Sequence, residues 1–340
     1  MKIVIDVFGG DYSPDEIVKG AVTAVNLIDD VELVLTGDEE QIQNCLDELG
    51  YKGNKIEIVH APEVISCEEA PTMAIRRKTE SSLVKALTIL KERDDVVGMV
   101  SAGSTGAVLA GGLFIVGRID GVKRPALAPF LPTVIEDKKT LLIDCGANVD
   151  CKPEYLLQFA IMGSIYVKAI RGIENPKVAL ISNGVEDTKG NELVHKAFEL
   201  LKGCKEINFA GNIEGRDLLT GEYDVLVCDG FVGNVAMKSA ESTLNAFNSI
   251  LKQEVKKSGI GAKLGALMLK KTFRKLKGRI NYTEVGGSPF LGLEKILIKS
   301  HGSSKAKTIY TCVLQIMEIH KSNYIEKMKE GIKNSSIVEG

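Results

Sequence analysis

Four apolar runs in this chain have strand length and stop abruptly in tips of Gly, Asn, Asp and Ser. They are 96–106 (VVGMVSAGSTG), 140–150 (TLLIDCGANVD), 177–187 (KVALISNGVED) and 223–234 (YDVLVCDGFVGN). Runs so rich in Val, Ile and Leu suit strands that are buried on both faces. The tip residues tolerate tight turns and leave backbone N–H groups exposed. In an open parallel sheet such tips gather at the carboxyl ends of the strands, where ligands bind. The pattern thus locates a site before it names a chemistry.

The rest of the chain alternates in the same way. Strands are expected over 2–7, 31–36, 55–60, 96–102, 140–145, 177–182 and 225–228. Helices are expected over 14–28, 39–49, 72–93, 105–116, 153–171, 191–201, 235–255 and 305–328. Ser13 reads as the N-cap of the first helix, with Pro14 at N1. The segment 124–133 (RPALAPFLPT) carries three prolines and reads as an extended crossover or edge strand. This pattern predicts a three-layer α/β/α architecture around a mostly parallel sheet. No boundary or repeat interrupts it, so residues 1–328 read as one domain with room for a cleft between two lobes. Residues 329–340 read as a frayed tail.

Composition removes several function classes. A net charge of −2 gives no general attraction to nucleic acid. The absence of Trp and an aromatic content of 5% disfavour base-stacking platforms. The seven Cys are scattered and never spaced as CxxC, which argues against zinc and against a disulfide framework. They read as buried thiols, with a nucleophilic role as the alternative for Cys145 and Cys228, which stand beside glycine tips but with no His at a position that sequence would pair with either. The start, MKIVIDVFGGD, is too short in its apolar stretch for a signal peptide. No run approaches the roughly 20 apolar residues that span a bilayer. A cytoplasmic protein, at most peripheral to a membrane, is expected. GxGxxG after the first strand, GxxxxGK[ST], HExxH and GxSxG are all missing, and only four His are present. No metal and no cofactor are expected.

What remains is a set of loops suited to anions. Gly103, Ser104, Thr105 and Gly106 join a strand to a helix, and Gly233 and Asn234 stand at a second such junction. Free N–H groups and the positive end of the helix dipole favour phosphate there. The same glycines could equally serve only tight turns. Arg76, Arg77 and Lys78 form a basic cluster, Lys189 follows the third tip, and Lys238 lies one turn into the helix after Asn234. These could meet phosphate or simply form solvated faces. Asn148 suits either a ligand or an Asx-turn, and Ser303 and Ser304 either a phosphate or a helix cap, with His301 as a nearby acid/base group. A different character marks 252–280, where ten Lys and Arg accompany one acid, Glu254. Ile260, Leu264, Leu267 and Met268 share one face at helical spacing, beside Lys270, Lys271 and Arg274. This suits an interfacial helix on anionic lipid, a dock for an acidic protein, or a helix pair in a dimer.

At these residues the chain resembles the phosphate acyltransferases of bacterial phospholipid synthesis, the PlsX family. The resemblance covers 1–325. It rests on DVFGGD (6–11), RRK (76–78), SAGSTGA (101–107), LFIVGRI (113–119), RPALAPFLPT (124–133), DCGANVD (144–150), KGNEL (189–193), GNIEGRDLL (211–219), DGFVGN (229–234), YTEVGGSPFLGL (282–293) and HGSS (301–304). It is the full set in this order that is specific. Val7-Phe8 replaces the usual Ala-Met, Ser104 the usual Asn, and 182–187 (SNGVED) is slightly altered.

The resemblance implies attack of inorganic phosphate on the thioester of a fatty acyl–acyl carrier protein. It implies a fold like isopropylmalate dehydrogenase and phosphotransacetylase, a homodimer, and peripheral contact with an anionic membrane. Taken with the loop chemistry, it makes His301, Asn234 and Ser104 the candidates for catalysis. Gly103, Thr105, Gly106, Asn148, Lys189, Gly233, Ser303, Ser304, Arg76 and Arg77 are the candidates for holding phosphate and substrate. The rival within the same fold is a phosphotransacetylase-like enzyme using acyl-CoA.

Overall fold

The computed structural model describes residues 1–273 and 286–335. Its strands are β1 (Lys2–Asp6), β2 (Glu32–Gly37), β3 (Ile56–His60), β4 (Val96–Ser101), β5 (Ala126–Leu127), β6 (Phe130–Pro132), β7 (Lys139–Ile143), β8 (Lys177–Ile181), β9 (Asn208–Ile213), β10 (Val225–Val227), β11 (Ser288–Leu291) and β12 (Ile296–Lys299). Its helices are α1 (Asp15–Leu27), α2 (Glu39–Glu48), α3 (Pro71–Arg77), α4 (Ser82–Glu92), α5 (Thr105–Gly111), α6 (Pro153–Arg171), α7 (Glu192–Gly203), α8 (Gly230–Lys257), α9 (Ile260–Met268), α10 (Ala306–Lys321) and α11 (Tyr324–Lys333).

The strands form two sheets, ordered β3-β2-β1-β4-β12-β11-β5 and β6-β7-β10-β8-β9. Pairing is parallel except at the facing edges, where β12–β11, β11–β5 and β6–β7 are antiparallel. Alternate residues of each strand enter opposite cores. Ile3 and Ile5 of β1 join the core on one side and Val4 the other. Leu141 and Ile143 against Leu142 do the same on β7, and Val225 and Val227 against Leu226 on β10. Helices cover both faces, so the expected three layers are present.

The proline-rich segment 124–133 has a specific task. Its first half, β5, closes the edge of one sheet, and its second half, β6, closes the edge of the other. It is therefore the strap between the lobes. Leu127 N–H donates to Asp144 Oδ1 at 2.9 Å, and Cys145 N–H donates to the Leu127 carbonyl at 2.9 Å.

Several local expectations need correction. Ser13 does not cap α1, because its hydroxyl accepts the Gly10 N–H at 2.9 Å and the helix starts from Pro14. The stretch 72–93 is two helices, broken where Ser81 caps α4 through the Val84 N–H. The helix 105–116 ends in a π-helical turn over Gly112–Val116. Helix α8 begins at Gly230, earlier than expected, because Asp229 caps it. The last helix is two, separated at Asn323 in the left-handed region, and α11 carries the fully buried Ile332 into the expected tail. β9, β11 and β12 were not anticipated as strands. The last two are four-residue segments on either side of a turn, too short for periodicity to show.

Candidate active site

A cleft of about 900 Å³ runs between the facing edges of the two sheets. Thr105, Asn234, Lys238, Lys299 and His301 line one end. Leu127, Phe130, Leu131, Tyr166, Ile170 and Leu314 line its length. Polar groups thus meet at the carboxyl ends of the strands, and the rest of the lining mixes these apolar side chains with charged ones, Glu136, Lys139, Arg171 and Glu318 among them.

The four glycine tips turn out to be unlike one another. At the 144–150 tip, the Asp144 carboxylate accepts the N–H groups of Leu127, Ala147 and Asn148, plus the Asn148 side-chain amide. Burial pushes its pKa up to about 6, and those hydrogen bonds oppose the rise. The Asn148 amide also donates to the Pro125 carbonyl at 2.8 Å, so its donors serve the strap. At the 229–234 tip, the Asp229 carboxylate accepts the Val232 N–H at 2.8 Å, and Gly230 N–H goes to the Asn148 carbonyl. Both tips are anion cradles in form, and a carboxylate of the protein already occupies each. Gly233 is required by packing, since a Cβ there would collide with the Asp144 carbonyl. Asn234 itself is exposed at the cleft.

The 101–106 tip is different. Gly103 N–H donates to Ser101 Oγ at 3.1 Å, but Ser104, the N-cap of α5, makes no side-chain cap bond. Ser104, Thr105 and Gly106 are half-buried, and Thr105 lines the cleft. The third tip leads to Lys189, which is exposed and outside the cleft lining. Arg76 and Arg77 are exposed on α3, with the Arg76 guanidinium 5.2 Å above the Phe114 ring. The structure therefore does not bring Lys189, Arg76 or Arg77 to the cleft.

His301 is brought in, and it is wired. Its Nε2 lies 2.9 Å from Lys238 Nζ and its Nδ1 lies 2.7 Å from Ser303 Oγ. The Ser303 N–H also points at Nδ1, at 3.2 Å, so both ring nitrogens face a donor. Burial first, and then the Lys238 charge, lower the His301 pKa and keep the ring neutral. Lys238 is held in turn by Glu241 at 2.9 Å. The serines of 301–304 do not cap the next helix. Glu16 does so, accepting the Ala306 N–H at 2.9 Å. Ser304 Oγ is buried without a partner among the described residues.

Sequence reading missed Lys299, and it quoted Asp6 and Ser101 within motifs without giving either a role of its own. Register places all three side by side on β1, β4 and β12. Ser101 Oγ donates to Asp6 Oδ2 at 2.7 Å, while Asp6 Oδ1 has no partner among the described residues. Burial raises the Asp6 pKa and pushes that of Lys299 down to about 8. The only available signal was a lysine closing the apolar run ILIK.

Neither Cys145 nor Cys228 is a nucleophile here. Both are buried, and burial pushes their thiols well above the usual range. Among the described residues no group of His, Cys, Asp and Glu could hold a metal ion. No described helix is long and apolar enough to cross a membrane. Away from the cleft, α8 has no buried residue beyond Gly233, and α9 has none among its described side chains. Leu264 and Leu267 are 56% and 64% exposed, and Lys270 and Lys271 are exposed beside them. Arg274 lies outside the described residues.

Comparison with known proteins agrees with this architecture. Residues 1–327 match the model of a family described as fatty acid synthesis protein. The chain is 47% identical over 334 residues to a phosphate acyltransferase of Clostridium tetani, covering 98% of each. It is 46% identical over 332 residues to one from Dictyoglomus turgidum, again covering 98% of each. Among solved structures, a phosphotransacetylase from Streptococcus pyogenes shares the fold, with TM-score 0.60 at 18% identity over 96% of this chain and 94% of that one. A branched-chain phosphotransacylase from Enterococcus faecalis gives TM-score 0.57 at 14% identity, over 94% and 98%.

Proposed function

This chain belongs to the fatty acid synthesis protein family, and from that premise we propose that it transfers a fatty acyl group from acyl carrier protein to inorganic phosphate, giving acyl phosphate for phospholipid synthesis. The observation that carries the proposal is the division of the cleft. Its strand-end polar groups suit a phosphate and a thioester carbonyl, and the apolar side chains in the rest of its mixed lining suit an acyl chain. A docked acyl group would run past Leu127, Leu131 and Leu314, with its carbonyl among Thr105, Asn234 and His301.

The chemistry asks little of proton-transfer groups. A phosphate oxygen forms a bond to the thioester carbon and the C–S bond breaks. The electron pair leaves on sulfur, which takes up the proton that hydrogen phosphate brought. Thiolate departs readily, so catalysis rests on holding the two reactants together and stabilising the developing oxyanion. The open tip at Ser104 and Thr105, with Asn234, supplies donors for that oxyanion. His301, at the polar end of the cleft, is the candidate for carrying the proton between phosphate and sulfur. The exposed basic and apolar face of α9 suits the acidic carrier or an anionic membrane, and the bare length of α8 suits pairing with a second copy.

The test is release of free thiol. With acyl carrier protein as donor, thiol should appear only when phosphate is present, and acyl-CoA should be a much poorer donor. Equal rates with acyl-CoA would support the phosphotransacetylase-like alternative. No phosphate dependence would remove the proposal.

A further inference from the structure

Lys299 is the most unusual group in the cleft. It closes β12, is 9% exposed, and lines the polar end beside Thr105 and His301. Among the described residues its ammonium hydrogen-bonds only main-chain carbonyls, Ala102 O at 3.4 Å and Ser300 O. Among the described residues no carboxylate lies within ion-pairing distance of it. Asp6, two strands away in the same row, has its own charge disfavoured by burial and shares its carboxyl with Ser101. A desolvated cation without a counter-ion is costly. A fold tolerates one where a ligand supplies the missing charge.

A second observation points the same way. Ser300 lines the same end of the cleft, and its Oγ is fully buried with no partner among the described residues. Buried hydroxyls are almost always hydrogen-bonded. A cation without a counter-charge and a hydroxyl without a partner thus stand on consecutive residues at this end of the cleft. The carbonyls of Ala102 and Ser300 fix where that ammonium sits.

We infer that Lys299 is the anchor that holds inorganic phosphate in the cleft. The anchor replaces the basic residues that sequence reasoning favoured, since Arg76, Arg77 and Lys189 stand outside the cleft lining. That the bound phosphate is the attacking group rests on the function proposed above. That it binds at Lys299 does not.

The test uses the full-length protein and Lys299→Met, which keeps the side-chain length and removes the charge. Inorganic phosphate is titrated into each without acyl donor, by calorimetry. Wild type should bind it, and the variant should bind about 10–100-fold more weakly. In turnover the phosphate KM should rise by a similar factor while the acyl-donor KM holds. The melting temperature should stay or rise at pH 7, because a buried unpaired charge is gone. The groups facing Lys299 are Asp6, Cys67, Lys238 and Cys312. Since its folded pKa is about 8, below the ordinary lysine value, wild type gains stability between there and about 10.5. The variant's thermal advantage should shrink over that window. Unchanged phosphate affinity, or a lowered melting temperature with both KM values raised together, would overturn the assignment. Phosphate binding through Lys299 without any acyl transfer would sink the proposed function and leave the anchor standing.

Discussion

Gly233 stands in a tip that looks like a phosphate loop, yet its absent side chain serves packing. The first turn of α8 lies so close to the end of β7 that a Cβ at Gly233 would overlap the Asp144 carbonyl and press on Cys228 Sγ. Gly233→Ala should therefore cost about 1–3 kcal/mol or more and displace Asn234 at the cleft. Urea denaturation and activity should fall together; a variant of normal stability would show that the contact yields. The residues that matter most at this scale were the least legible. Lys299 reads in sequence as a strand-end lysine with its head in water. Only the pairing of β12 with β4, between residues about 200 positions apart, shows that its head is buried. Asp6 and Ser101 stand in motifs visible in the sequence, but their contact with each other is tertiary for the same reason. By contrast His301 was legible because it opens a polar segment directly after a strand.

At the scale of elements, glycine tips marked the right edge of the sheets but not their roles. Two of the four are filled by Asp144 and Asp229, whose carboxylates take the N–H groups a phosphate would need. Aspartate inside a glycine-rich tip is thus an occupant as easily as a neighbour, and composition alone cannot separate the two. The strap 124–133 was recognisable from its prolines as an edge strand, but that it serves two sheets depends on partners distant in the chain. The face carried by α9 belongs to this scale too. Four apolar residues predicted to align are all exposed, Ile260 at 78% and Met268 at 85% among them. Replacing Leu264 and Leu267 with Glu should abolish flotation with anionic vesicles and leave transfer from soluble substrate intact. Loss of that activity together with loss of a dimer on sizing would assign the face to subunit pairing.

For the whole molecule, strand-and-helix alternation was enough to predict three layers and a mostly parallel arrangement, because buried strands and amphipathic helices have distinct periods. It was not enough to predict two sheets. The antiparallel edges that separate them come from short strands, β5, β6, β11 and β12, whose pairing is tertiary. Those edges create the cleft, and the cleft brings Lys238 and Lys299 at the strand ends together with a lining that includes Leu127, Leu131 and Leu314. The account requires phosphate and thioester to meet there and react without a covalent intermediate on the protein, since Cys145 and Cys228 are buried thiols of raised pKa. The most direct measurement is a single-turnover mixing of the protein with one equivalent of acyl carrier protein thioester, followed by intact-protein mass spectrometry. Without phosphate the protein mass should stay unchanged, and on adding phosphate, acyl phosphate and free carrier thiol should appear at one rate. A protein carrying the acyl group before phosphate is added would contradict the account.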